Sequence, residues 1–192
     1  MKKTGIVLFV LMLSLGICAC TNVQPAPAAE PAVSAEPAAE QGPAEAAASG
    51  AGISFETKDL NDTIVTSADL FSGHKVTMVN VWETTCVACI SEMPELNRLA
   101  SEFESEGAQL IGIVYDATDE ALIAEAKEIA SDLNLQYVNL LPTDEIRSIF
   151  KTQAFPTTYF VNENGELIDK PILGASISRY VEEVNQALAG NQ

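Results

Sequence analysis

The chain has 192 residues and a formal net charge of −17, from 27 acidic and 10 basic side chains, with 47% apolar and 6% aromatic residues. So large an acidic excess excludes a nucleic-acid surface, which needs clustered Lys and Arg to neutralise phosphate, and equally a polybasic membrane patch. Four cysteines are too few for a disulfide-stapled scaffold of this length.

Lys2 and Lys3 precede an apolar run from Gly5 to Ile17 that ends in Ile17-Cys18-Ala19-Cys20. This run is shorter than the about 20 residues a membrane-spanning helix needs, and residues 1–19 suit a secretory leader. Residues 21–52 hold 12 Ala, 5 Pro and 4 Glu, no Lys or Arg, and no apolar side chain larger than Val. Such a segment buries too little surface to offset its ordering entropy, and its prolines interrupt a helix. Residues 20–52 are therefore expected to be a disordered linker, with ends roughly 30 Å apart as a coil. The Ile-Cys-Ala-Cys ending resembles a bacterial lipobox. That resemblance implies lipid on Cys20 rather than on Cys18, which follows the bulky Ile17. Two or three acyl chains there anchor stably where one does not. The protein is then held by lipid on the outer side of the bacterial cell membrane.

From Ile53 the pattern turns globular, and residues 53–192 are expected to form one domain large enough to fold without disulfides. Residues 53–57 alternate like a strand, and Ile64-Val65-Thr66 is a second β-prone piece. Lys75 to Trp82 is apolar on both alternating faces, as a central strand requires. Ile90, Met93, Leu96, Ala100 and Phe103 recur with helical spacing, and Ala108 to Tyr115 is another buried strand. Leu122, Ala126, Ile129 and Leu133 mark a helix after Asp119. A short segment at Tyr137–Leu140 and a helical turn at Glu145–Phe150 follow. Thr157–Val161 and Glu166–Leu173 flank Asn164-Gly165, a hairpin turn. Ile177, Tyr180, Val181, Val184 and Leu188 close the chain as a helix. This order predicts an α/β fold, a mixed β-sheet flanked by helices.

Cys86-Val87-Ala88-Cys89 falls where a strand hands over to a helix. The first sulfur there faces unsatisfied backbone N–H groups and the positive end of the helix dipole, which favours its thiolate. Cys86 is thus the attacking sulfur, and Cys89, one turn deeper, the resolving one. A zinc site needs four ligands, and beyond this pair the domain offers only His74. No metal or cofactor is expected. A purely structural disulfide closing so small a loop would constrain the unfolded chain little.

VNVWETTCVACISEMPEL at 79–96 resembles the active-site segment of the TlpA/ResA branch of the thioredoxin superfamily, and AFPTTYFVNENGELI at 154–168 resembles its cis-proline loop and hairpin. IGIVYD at 111–116 and GAS at 174–176 fit the same pattern in order, so the resemblance covers residues 53–192. It implies a thioredoxin-like fold and thiol–disulfide exchange through Cys86 and Cys89. It also implies a cis peptide bond before Pro156. A cis bond there leaves the Phe155 backbone free to meet a substrate chain. Phe155, Pro156 and Trp82 are the residues expected to meet substrate, with Trp82 packing beside the disulfide rather than reacting. The implied partners are disulfide-bearing client proteins and a membrane thiol electron donor.

Several positions depart from that family's pattern. Ala88 stands where relatives commonly carry Pro, Thr85 replaces an aromatic, and Asn80 occupies the place of the buried acid of thioredoxin itself. The proton acceptor for Cys89 is therefore left open. Glu83 reads as a rim charge, Glu92 and Glu95 as solvated helix residues, His74 as an exposed loop residue, and Pro94 as a kink inside the helix. A peroxiredoxin reading meets Val79 where its motif needs Pro. A copper carrier of the Sco type needs a wider cysteine spacing and a following histidine, and no histidine follows Cys89. A binding module without catalysis leaves both cysteines and the loop proline unexplained. Residues 53–192 carry a net charge of −15, and Val87 and Ala88 add no positive charge. The thiolate is then only modestly stabilised, which predicts a reductant rather than an oxidant.

Overall fold

The computed structural model describes residues 52–190. The expected leader and linker, with Cys18 and Cys20, lie outside the described residues except for Gly52. In chain order the elements are β1 (Glu56–Lys58), β2 (Ile64–Thr66), α1 (Ser67–Phe71), β3 (Val76–Trp82), α2 (Val87–Glu106) and β4 (Ala108–Val114). Then come α3 (Glu120–Asp132), β5 (Asn139–Leu140), α4 (Asp144–Ile149), β6 (Thr157–Asn162), β7 (Leu167–Leu173) and α5 (Ile177–Gly190). β1 and β2 form a small antiparallel pair, and the other five strands form one sheet in the order β5-β4-β3-β6-β7. β3 pairs parallel with β4 and antiparallel with β6, so the sheet is mixed, as expected.

Every residue of β3 is buried, which its apolar run on both faces demands. Val79 and Val81 point to a core with Phe71 from α1 and Ile146 from α4. Met78 faces the opposite core, where Leu96 and Phe103 of α2 meet Tyr180 and Val184 of α5. Trp82, at the end of β3, lies in a third cluster with Cys89, Met93 and Ala126 of α3. Each such side chain taken fully from water contributes about 1.5–3 kcal/mol. Gly112 on β4 makes room for this end of the sheet: a Cβ there would lie 1.9 Å from Asn139 Oδ1, which accepts the Trp82 indole N–H at 2.9 Å.

Two local expectations are corrected. The first strand begins at Glu56 rather than Ile53, because the preceding residues find partners outside a ladder. The Ile53 N–H bonds the Gly165 carbonyl, and Phe55 exchanges bonds with Ser67. α1 has no counterpart in the sequence reading; Thr66 caps it by accepting from the Asp69 N–H. Pro94 does lie inside α2, which runs on for three further turns to a left-handed Gly107 cap. Lacking an N–H, it leaves the Ile90 carbonyl without its helical donor. The Asn164-Gly165 hairpin forms where expected, with Gly165 at φ 73°.

Candidate functional site

Cys86 is the N-cap of α2, and its Sγ accepts the backbone N–H of Cys89 at 3.2 Å. The two cysteines form a disulfide with their Cα atoms 5.3 Å apart. They differ sharply in access: Cys86 is half-buried, whereas Cys89 has no exposed surface. The loop leading in is fixed by Asp116, just past β4. Its carboxylate accepts the Thr84 N–H at 3.1 and 3.0 Å and the Thr84 hydroxyl at 2.7 Å. The Tyr115 N–H continues the β3–β4 pairing onto the Trp82 carbonyl at 2.7 Å. Neither Asp116 nor Thr84 stands out in the sequence, since the contact joins residues 32 apart.

The Phe155–Pro156 peptide bond is cis. Register places Pro156 one residue before the Val81–Thr157 pair, across the sheet from Trp82. Pro156 is buried, and its carbonyl accepts the Gly174 N–H at 2.8 Å. Phe155 is half-buried and packs, like Cys86, against the Trp82–Cys89 cluster. Exposed apolar side chains flank this end of the sheet: Val87 (77% exposed) beside Cys86, and Leu173 (63%) opposite Thr157. Trp82 was expected to meet substrate, but it is fully buried. Its ring supports the disulfide from beneath and offers no surface to a client in this form.

Phe155 meets the Tyr115 ring at 5.4 Å, and the Arg147 guanidinium sits 4.4 Å from the centre of that ring while donating to the Tyr115 carbonyl. Glu83 is half-buried at this edge; burial pushes its carboxyl up, Asp116 adds repulsion, and Arg147 opposes both. Glu95 is bound to Arg98 at 2.6 Å in solvent. His74 is not exposed but half-buried, 3.3 Å from Glu104. Among the described residues no cluster of three or more His, Cys, Asp or Glu is placed to hold a metal ion.

Glu92 overturns its expectation. Instead of facing solvent it is 6% exposed, its Oε1 accepting from Asn80 Nδ2 at 2.9 Å and its Oε2 lying 3.2 Å from the Tyr180 hydroxyl. Asn80 also donates to Thr158 Oγ1 at 3.2 Å. The place that lost its acid on β3 is thus served by an acid from α2, reached through Asn80. Spacing held this signal: Glu92 is three residues past Cys89, hence on the same helix face. Burial raises the Glu92 carboxyl above its ordinary range, against the two hydrogen bonds that lower it. A carboxyl whose proton affinity is raised by burial is a better proton acceptor than one in water.

The sequence pattern of the AhpC/TSA family matches residues 50–170. The chain is 29% identical over 126 residues to the thiol-disulfide oxidoreductase ResA of Oceanobacillus iheyensis. That match covers 63% of this chain and 62% of the relative, less than two thirds of the relative's length. Among solved structures it is similar to a thiol:disulfide interchange protein of the thioredoxin family from Chlorobium tepidum (TM-score 0.61, 22% identity, 71% of this chain and 94% of that one). It is also similar to the pneumococcal exposed lipoprotein thioredoxin from Streptococcus pneumoniae (TM-score 0.59, 17% identity, 69% and 98%). These likenesses show a thioredoxin-like fold.

Because Glu92 binds its proton more tightly folded than unfolded, the folded chain holds the extra proton at pH values between the two states' midpoints. Stability is then full at acidic pH, below the ordinary carboxylate range, and falls as pH rises through the folded value. Glu92→Gln cannot ionise and should lose that fall. Urea unfolding of the disulfide form at several pH values measures it: wild type should lose more stability than the variant toward alkaline pH. Parallel profiles would reject the assignment.

Proposed function

The chain belongs to the AhpC/TSA family, in a branch whose curated relatives are thiol–disulfide oxidoreductases, and we propose that it reduces disulfides of client proteins outside the cytoplasm. One observation carries this reading: a disulfide at the start of a helix with one sulfur reachable and the other sealed, and a buried acid three residues further along that helix. In the reduced form the Cys86 thiolate, favoured by the end of α2, attacks a client disulfide, and the client releases one thiolate. Cys89 then gives its proton to Glu92 and attacks Cys86 Sγ, freeing the second client thiolate. The product is the Cys86–Cys89 disulfide present here. Phe155 and the Pro156 loop, with Val87 and Leu173 at the rim, form the surface that receives the client chain.

The direction follows from charge. Val87 and Ala88 are exposed and neutral and the domain is acidic, so only the helix end favours the thiolate. A weakly stabilised thiolate leaves the disulfide form favoured, which makes the reduced protein a reductant. A membrane thiol carrier supplies the electrons. A peroxidase would need Pro at position 79, yet Val79 is buried in mid-strand and paired on both sides with Ile111 and Tyr159.

Residues 1–19 act as a leader, Cys20 carries the lipid, and residues 20–52 tether the domain of residues 53–192 to the membrane. The lipobox-like Ile17-Cys18-Ala19-Cys20 supports this, as does the likeness to an exposed lipoprotein thioredoxin. No helix among the described residues is long and apolar enough to cross a membrane.

The roles within the pair are testable by trapping. Cys89→Ser should accumulate client mixed disulfides on non-reducing gels, while Cys86→Ser should trap almost none; the reverse pattern would overturn the assignment. The anchor has its own test. Cys20→Ala should abolish fatty-acid labelling and move the protein to the soluble fraction, and a variant that stays labelled and membrane-bound would exclude Cys20 as the anchor.

A further inference from the structure

Tyr180, near the start of α5, is fully buried. Its hydroxyl lies 3.2 Å from Glu92 Oε2 and 3.2 Å from the Gly174 carbonyl oxygen. A phenol has one hydrogen and can donate to only one of these acceptors, and a backbone carbonyl can only accept. When Glu92 is protonated, its own O–H can donate to the Tyr180 oxygen while Tyr180 donates to Gly174. All three groups are then satisfied. When Glu92 is ionised it can only accept, and hydrogen bonds to a charged acceptor are the stronger ones. The Tyr180 proton turns to the carboxylate, and the Gly174 carbonyl loses this donor. Gly174 in turn holds the Pro156 carbonyl through its N–H at 2.8 Å, directly beside the exposed Leu173.

We propose that Tyr180 is a positioning residue that couples the protonation of Glu92 to the Gly174–Pro156 loop, where the client chain is received. This rests on the exchange reading above and adds to it a signal between the two halves of the site. In the resolving step the Cys89 thiol passes its proton to the Glu92 carboxylate. The electron pair left on the Cys89 sulfur forms the bond to Cys86 Sγ. The Cys86–client bond breaks, and its electron pair leaves with the client thiolate. Glu92, now an acid, frees the Tyr180 proton for Gly174. The loop is thereby re-tied at the moment when the client must depart.

The groups bearing on Glu92 come from every element around it. They are Asn80 on β3, Thr158 on β6, Tyr180 on α5, Tyr137 ahead of β5, and Cys89 one turn back on α2. Burial pushes the Tyr180 phenol up to about 12 and raises Tyr137 as well, and Cys89 in the disulfide does not titrate. Of these groups, Glu92 is therefore the acid whose charge changes while both phenols keep their protons in the oxidised protein.

Carbon-13 NMR of the oxidised protein across a pH series tests the coupling. In wild type the Gly174 carbonyl carbon should shift with the same midpoint as the Glu92 carboxyl carbon. In Tyr180→Phe, Glu92 should still titrate, with its midpoint moved up by loss of a donor, while the Gly174 response is lost. Glu92→Gln, an independent variant should Tyr180→Phe not fold, should also leave Gly174 flat. A wild-type Gly174 carbon that does not follow Glu92, or one that follows it equally in Tyr180→Phe, would overturn the proposal. Insulin reduction by wild type separates the two readings. Coupled titration without disulfide reduction supports the coupling and sinks the exchange reading, whereas reduction without coupled titration sinks the coupling alone.

Discussion

Burying an ionisable carboxyl costs free energy unless its oxygens find partners, and Glu92 meets that condition only because three elements converge on it. Asn80 donates from the middle of β3, Tyr180 reaches in from α5, and α2 carries Glu92 itself one turn beyond Cys89. Move any of the three and the carboxyl either returns to water or loses a donor. The central strand, the active helix and the closing helix are thus tied at one polar point between apolar clusters. Glu92 stands one turn beyond Cys89, so the requirement that keeps the fold's interior satisfied also fixes a buried acid on the helix that carries the cysteine pair.

The same division between sealed and open sides runs through the rest of the site. Cys89, Trp82 and Met93 have no exposed surface, and Asp116 pins Thr84 so that the loop delivers Cys86 to the helix end. On the open side Val87, Phe155 and Leu173 offer apolar surface. The charged groups sit at the edge: Arg147 lies over Tyr115, and Glu83 faces Asp116. Exposed charges at such a rim steer approach more than they hold a partner.

Much of this was legible in the sequence because it depends on local pattern. The apolar run of 75–82, the helical spacing from Ile90 to Phe103 and the Asn164-Gly165 turn each specify an element from neighbouring residues alone. The cysteine pair and Pro156 were legible by their motifs. What escaped depends on contacts between distant residues. Glu92 looks like any helical Glu until Asn80 and Tyr180, the latter 88 residues away, are seen to surround it. Trp82 packs beside the disulfide as its place in the sequence suggested, but the Asn139 bond turns its indole N–H inward and leaves it no surface for substrate. Ile53 and Phe55 alternate as a strand does, but their partners are a turn and a helix start, which periodicity cannot reveal.

In the proposed reading an electrostatic balance sets the direction of electron flow. The end of α2 favours the Cys86 thiolate; the neutral Val87 and Ala88 do nothing for it, and an acidic domain opposes it. Equilibration of the Cys86–Cys89 pair with glutathione buffers, followed by the fluorescence of Trp82, the single tryptophan of the chain, measures the outcome directly. The account predicts a reduction potential on the reducing side of roughly −200 mV, and a value near about −120 mV, that of a strong dithiol oxidant, would contradict it.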